Sequence, residues 1–157
     1  NSRDVKGKKL GMNEARESAG QFLAKHGFEG EMRPVAYSES NNVGTFTYVG
    51  VQDGVLVYPD KLTVKVALDN GDTIGLHAND YIYEHHKRNI PKPKVTKAEA
   101  RKAVNPDLKV SRENMALIKG ESGEEVLCYE FTGKINGSEY RIYINADNGT
   151  EESVEEL

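Results

Sequence analysis

The sequence repeats itself, and this constrains its fold more than any other feature. Glu14-Ala15-Arg16 recurs as Glu99-Ala100-Arg101, and Asp69-Asn70-Gly71 recurs as Asp147-Asn148-Gly149. Between these anchors Leu62, Val64, Val66 and Leu68 alternate as Tyr140, Ile142, Ile144 and Ala146 do. Two anchors in one order, with a matching alternating run between them, point to two diverged copies of a small unit. Each copy has about 70 residues with which to close its own core, near the size at which one core becomes marginal.

Each copy opens with a helix. Met12, Ala15, Ala19, Phe22 and Leu23 fall on one helical face, and Gly27 supplies a left-handed stop. In the second copy Thr96 and Glu99 have capping-box spacing, Ala100, Ala103 and Val104 form the apolar stripe, and Asn105-Pro106 ends the helix early. The period then changes to two. Residues 35–37, 45–49, 55–58, 62–68 and 73–76 read as strands in the first copy, and 115–118, 126–131, 140–146 and 152–154 in the second. Asp53-Gly54, Asn70-Gly71, Asn136-Gly137 and Asn148-Gly149 punctuate them, which predicts antiparallel neighbours. The expected fold class is α+β: two tandem domains, each a helix packed on a curled antiparallel sheet. The stiff Pro91-Lys92-Pro93 spacing marks the boundary. This gives 10–88 as the first domain, 89–95 as linker and 96–157 as the second domain.

Charge excludes one function class. The net charge is −4, and residues 1–88 carry 11 positive and 12 negative side chains against 10 and 13 in 89–157. Neither half is the basic surface that nucleic acid requires. Lys6, Lys8 and Lys9, and the run His85-His86-Lys87-Arg88 with Lys92 and Lys94, read as a solvated tail and a solvated linker. The single Cys128 allows no internal disulfide and sits in an alternating strand, where a buried thiol is ordinary. No stretch is apolar over the 18 or so residues of a membrane span. The chain starts at Asn1 without an initiator Met and is expected to be a piece of a longer protein.

Residues 55–71, Val55-Leu56-Val57-Tyr58-Pro59-Asp60-Lys61-Leu62 through Asp69-Asn70-Gly71, then His77-Ala78-Asn79-Asp80-Tyr81, and finally Tyr140 to Gly149 carry a likeness. This pattern resembles the PepSY domain, a family named for peptidase propeptides and a spore-germination protein, and the likeness runs from about Leu10 to Leu157. The tandem arrangement is most similar to that of spore-germination proteins in endospore-forming bacteria. The resemblance implies a non-catalytic regulatory module without cofactors that stabilises and restrains a cortex-lytic peptidoglycan hydrolase of the SleB type. It also implies export to the spore envelope, at the outer face of the inner spore membrane, through an N-terminal anchor outside this chain. A second reading is an assembly or scaffold protein that binds itself or peptidoglycan without direct inhibition.

Residue chemistry offers little else. His77, Asp80, His85 and His86 lack a compact ligand motif, and adjacent histidines point apart, so no metal site is expected. Cys128 is mid-strand and the serines have no elbow motif, so no nucleophile is expected. Glu124-Glu125, Glu151-Glu152 and Glu155-Glu156 read as solvated acids. Asp69 and Asp147 are expected to fix their turns through local hydrogen bonds rather than to bind calcium. Tyr58, Tyr81 and Tyr83 are the candidate partner-binding residues, since tyrosine joins apolar area to a polar tip; the alternative is packing between the copies. A free sheet edge could also take up a partner's extended segment.

Overall fold

The computed structural model describes residues 3–28 and 31–157, and its contacts divide the chain into two units. The first comprises residues up to Gln52 with Pro59–His85; the second comprises Asp53–Tyr58 with His86–Leu157. The contact boundary therefore falls at His85/His86, and a short stretch from within the first copy joins the second unit.

In the first unit α1 (Met12–Lys25) buries Ala15, Ala19 and Leu23, while Met12 stays 40% exposed. Two alanines on the inner face let the helix lie close to Phe46, Tyr48, Leu62, Val64, Val66 and Leu68, the core of the sheet. Gly27 stops it at φ 69°, as its position predicts. Strands β1 (Glu31–Ser40) and β2 (Val43–Gln52) pair antiparallel through a two-residue turn at Asn41-Asn42, both left-handed. Asparagine tolerates that conformation, although the turn lacks the glycine that flags the others. Strand β3 (Val55–Ala67) neighbours β2, and β4 (Thr73–His77) pairs antiparallel with its later part. A six-residue helix, α2 (Asn79–Glu84), follows; it has no expected counterpart in the sequence reading. The two strands expected at 55–58 and 62–68 are thus one, running through Pro59.

The second unit holds α3 (Lys97–Lys102), β5 (Lys109–Lys119), β6 (Glu125–Ile135), β7 (Ser138–Asn145) and β8 (Glu151–Glu156). Thr96 caps α3: its Oγ1 accepts from the Glu99 N–H at 3.1 Å and donates to Glu99 Oε1, also at 3.1 Å. Ala100 and Val104 are buried, but Ala103 is exposed, because the helix ends at Lys102 and turns it outward. Strands β5 to β8 form an antiparallel meander whose inner face carries Leu117, Leu127, Phe131, Ile142 and Ile144. One pairing departs from the antiparallel expectation. Val55, Leu56 and Val57 run parallel to Met115, Ala116 and Leu117. They come from the β2–β3 hairpin rather than from an adjacent turn, so turn chemistry says nothing about their direction. The last strand, β8, carries glutamate at 151, 152, 155 and 156 and pairs only with β7 among the described residues.

The duplication is visible in individual hydrogen bonds. Lys9 and Leu10 both donate to the Leu68 carbonyl at 2.8 and 2.9 Å; Lys94 and Val95 both donate to the Ala146 carbonyl at 2.9 Å. Ala67 N bonds Asp72 O at 2.8 Å, and Asn145 N bonds Thr150 O at 2.8 Å. The β3–β4 register slips between Lys65 and Val66, and the β7–β8 register slips between Tyr143 and Ile144, at the matching place. These bulges bend each sheet around its helix.

Asparagine side chains hold the repeated turns. Asn70 Oδ1 accepts from Asp72 N at 2.9 Å, and Asn148 Oδ1 from Thr150 N at 3.0 Å. Asp69 takes a two-point grip from Arg3, at 2.7 and 2.8 Å, and Asp147 faces Lys94 at 3.1 Å. Asp69 also takes the local backbone hydrogen bonds expected of it, from its own N–H and that of Asn70, and the residue after each aspartate adds a second hold by reaching two positions ahead, which an Asx side chain does well.

Candidate functional site

Helix α2 is too short to be stable alone, and Ala78 at its start provides no side-chain cap. Its order comes from what Tyr81 and His85 touch. Tyr81 is buried at 9% exposure, stacks on His85 with ring centroids 4.5 Å apart, and meets the Phe28 ring edge-on at 5.4 Å. His85 closes the helix, its N–H bonding Tyr81 O at 2.9 Å, and its Nδ1 lies 2.7 Å from Oδ2 of Asp60. Asp60 is itself buried and backs onto Gly50, where a Cβ would come within 3.2 Å of the aspartate.

One face of α2 is therefore pinned, and the other is left outside. Ile82 is 70% exposed and Tyr83 86%. Two adjacent large apolar side chains so open to water on an anchored element form a surface that a partner can cover without first ordering it.

The candidate tyrosines thus have three different fates. Tyr83 is on the surface, and Tyr81 is the anchor beneath it. Tyr58 lies in the second unit, on the sheet face opposite the α3 core. There its hydroxyl donates to Oε2 of Glu130, and Arg141 Nη1 donates to the Tyr58 oxygen at 3.3 Å. Asn114 Nδ2 reaches Glu130 Oε1 at 3.3 Å, and the Tyr143 ring meets that of Tyr58 edge-on at 5.8 Å. Strand alternation assembles this cluster: Asn114, Glu130, Arg141 and Tyr143 each neighbour core residues and so face away from them. Burial, then the Glu130 charge, raises the Tyr58 hydroxyl well above its ordinary range; burial does the same to Tyr143. Glu130 is 3% exposed and Arg141 7%. A carboxylate, a guanidinium and two phenols held together in this way tie β3, β6 and β7 to one another on this face.

The other residues weighed in the sequence are scattered. His77, Asp80 and His86 are exposed, and His85 is engaged with Asp60. Among the described residues no three His, Cys, Asp or Glu side chains gather in a metal-holding group. Cys128 is fully buried, and burial pushes its thiol up to about 12. Arg88, expected in a solvated run, is buried and pairs with Glu125. Among the described residues no helix is long and apolar enough to cross a membrane.

Comparison with known proteins gives consistent matches. A family model described as YpeB sporulation, PepSY1 and PepSY2 domains, matches residues 1–91, and one described as peptidase propeptide and YPEB domain matches residues 94–155. The sporulation protein YpeB of Halalkalibacterium halodurans is 45% identical over 155 residues, and that of Bacillus subtilis 43% over 157. Each match covers 99% of this chain but only 34% and 35% of the relative, so the chain spans about a third of their length. The solved C-terminal domain of Bacillus megaterium YpeB is 42% identical, with a TM-score of 0.92 over 99% of this chain and 69% of that one. Matches along the whole chain, from sequence and from fold, lead to one conclusion: the chain belongs to the YpeB sporulation-protein family and carries PepSY domains of that family.

Proposed function

We propose that this chain is the non-catalytic, partner-binding part of a spore-germination protein, and that the partner is a cortex-lytic peptidoglycan hydrolase of the SleB type, which it stabilises and restrains. The observation that carries the reading is the Ile82–Tyr83 pair on α2, presented outward by the contacts of His85 with buried Tyr81 and Asp60. Membership in a family of sporulation proteins and of peptidase-propeptide-like domains supports it. The whole protein works outside the cell membrane on this reading, at the outer face of the inner spore membrane, held there by an anchor beyond this chain.

Direct restraint requires the module to cover the enzyme's groove, and burial of about 1,600 Å² in total is typical of such a complex. Titrating the purified chain into the hydrolase while following muramyl-bond cleavage tests it. A saturable fall in rate, lost on Tyr83→Ser with Ile82→Asp, is the expected result. An unchanged rate with no detectable binding removes direct inhibition. Sedimentation that shows instead a self-associated or glycan-bound species favours the scaffold reading.

A further inference from the structure

We infer that Val55–Tyr58 is an internal strand ligand of the second unit. The outer edge of β5, backed by Glu130, is a binding site for an extended segment of three apolar residues followed by tyrosine, and the chain fills that site with its own hairpin tip. The family match for this domain runs from residue 94 to 155 and leaves the segment out. Yet Val55, Leu56 and Val57 are only 8%, 2% and 1% exposed, and Val55 and Val57 belong to the same core as Leu117 and Leu127. Their parallel register with Met115–Leu117 occupies the edge of β5 that β6 leaves open.

The site reads its ligand on two faces. Main-chain pairing holds an added strand whatever its sequence, while alternate side chains confer selectivity. Val55 and Val57 enter the core, and Tyr58, on the opposite face, brings its hydroxyl to Glu130. With the tip withdrawn, an apolar edge is opened to water and a buried carboxylate loses a donor, both unfavourable. A phenylalanine in the fourth position fills the space but leaves Glu130 short of that donor. The inference stands independently of which enzyme, if any, the protein restrains.

The test uses the whole chain with a site-specific protease sequence inserted between His86 and Lys87, both exposed. Cleavage leaves the hairpin tip on one product and β5 to β8 on the other. We expect the products to co-elute at micromolar concentration and to be separated by excess synthetic peptide with the sequence of residues 53–60. Val57→Asp should weaken their association by about tenfold or more. Products that separate without peptide, that resist the peptide, or that stay as tightly bound with Val57→Asp overturn the inference. If the uncut Val57→Asp chain is unfolded by circular dichroism, Tyr58→Phe is read in the uncut chain instead. Amide exchange at residues 115–117 should then accelerate while that of α1 is unchanged, and unaltered exchange at 115–117 overturns the inference.

Discussion

Arg88 grips Glu125 with two nitrogens, Nε 2.8 Å from Oε1 and Nη2 2.9 Å from Oε2. The arginine side chain is 4% exposed and the glutamate 25%. The hydrogen bonds from Arg88 are the main reason the Glu125 carboxyl titrates below its ordinary 4.5. A carboxyl depressed in the folded state adds stability above its unfolded pKa and loses it as pH falls through the folded one. Arg88→Met is therefore expected to lower unfolding free energy by about 1–3 kcal/mol at pH 7. The deficit should shrink as pH drops below about 4.5, which denaturant titrations at pH 7, 5 and 3.5 would reveal. A deficit independent of pH would point to lost packing alone.

That residue also marks a limit of sequence reading. His85-His86-Lys87-Arg88 looks like a uniform hydrated run, and only the fold singles out one member for burial. Helices α1 and α3 and the β6 and β7 strands were legible because their periods and Asx-Gly turns are local properties. The assignment of Val55–Tyr58 to the second unit was not, since an alternating apolar run is compatible with any sheet it can reach. Helix α2 has neither cap nor sufficient length to show a period. Tyr81 and Tyr83 therefore looked equivalent, although one faces the core and the other water.

Gly133 sits opposite a bulge in β5, where pairing slips between Val110 and Arg112. A Cβ built there would come within 2.3 Å of the Lys109 carbonyl oxygen and 2.9 Å of the Val110 Cα. These are backbone atoms, which cannot swing aside as a side chain can. Gly133→Ala is expected to cost about 1–3 kcal/mol, as overpacking does. The urea midpoint should fall at constant m-value; an unshifted midpoint would show that the bulge relaxes freely.

Cys128 should be chemically silent in the native chain. Burial, with a smaller push from Glu152, lifts its thiol to about 12, so the reactive thiolate is scarce at neutral pH. Ellman's reagent at pH 8 is expected to leave the folded chain unmodified and to titrate one thiol after unfolding in guanidinium. Stoichiometric modification of the folded chain within minutes would contradict this.

Ile82→Asp and Tyr83→Ser replace side chains that water already surrounds. Each should change stability by no more than about 0.5 kcal/mol while weakening any partner that seats on α2. Tyr81→Ala, one position away, should behave in the opposite order, with unfolding free energy dropping by about 3–5 kcal/mol as for loss of a buried ring. Calorimetry of the three variants separates the roles. Similar losses from all three would mean that the outer face of α2 also carries structural load.

The glutamates of β8 have a consequence for solubility. An open strand edge is an invitation to another strand, and identical molecules present identical edges. Two copies meeting along β8 would set rows of carboxylates against each other, a repulsion that main-chain pairing must overcome at neutral pH. Salt screens that repulsion, so association along this edge is expected to rise with ionic strength.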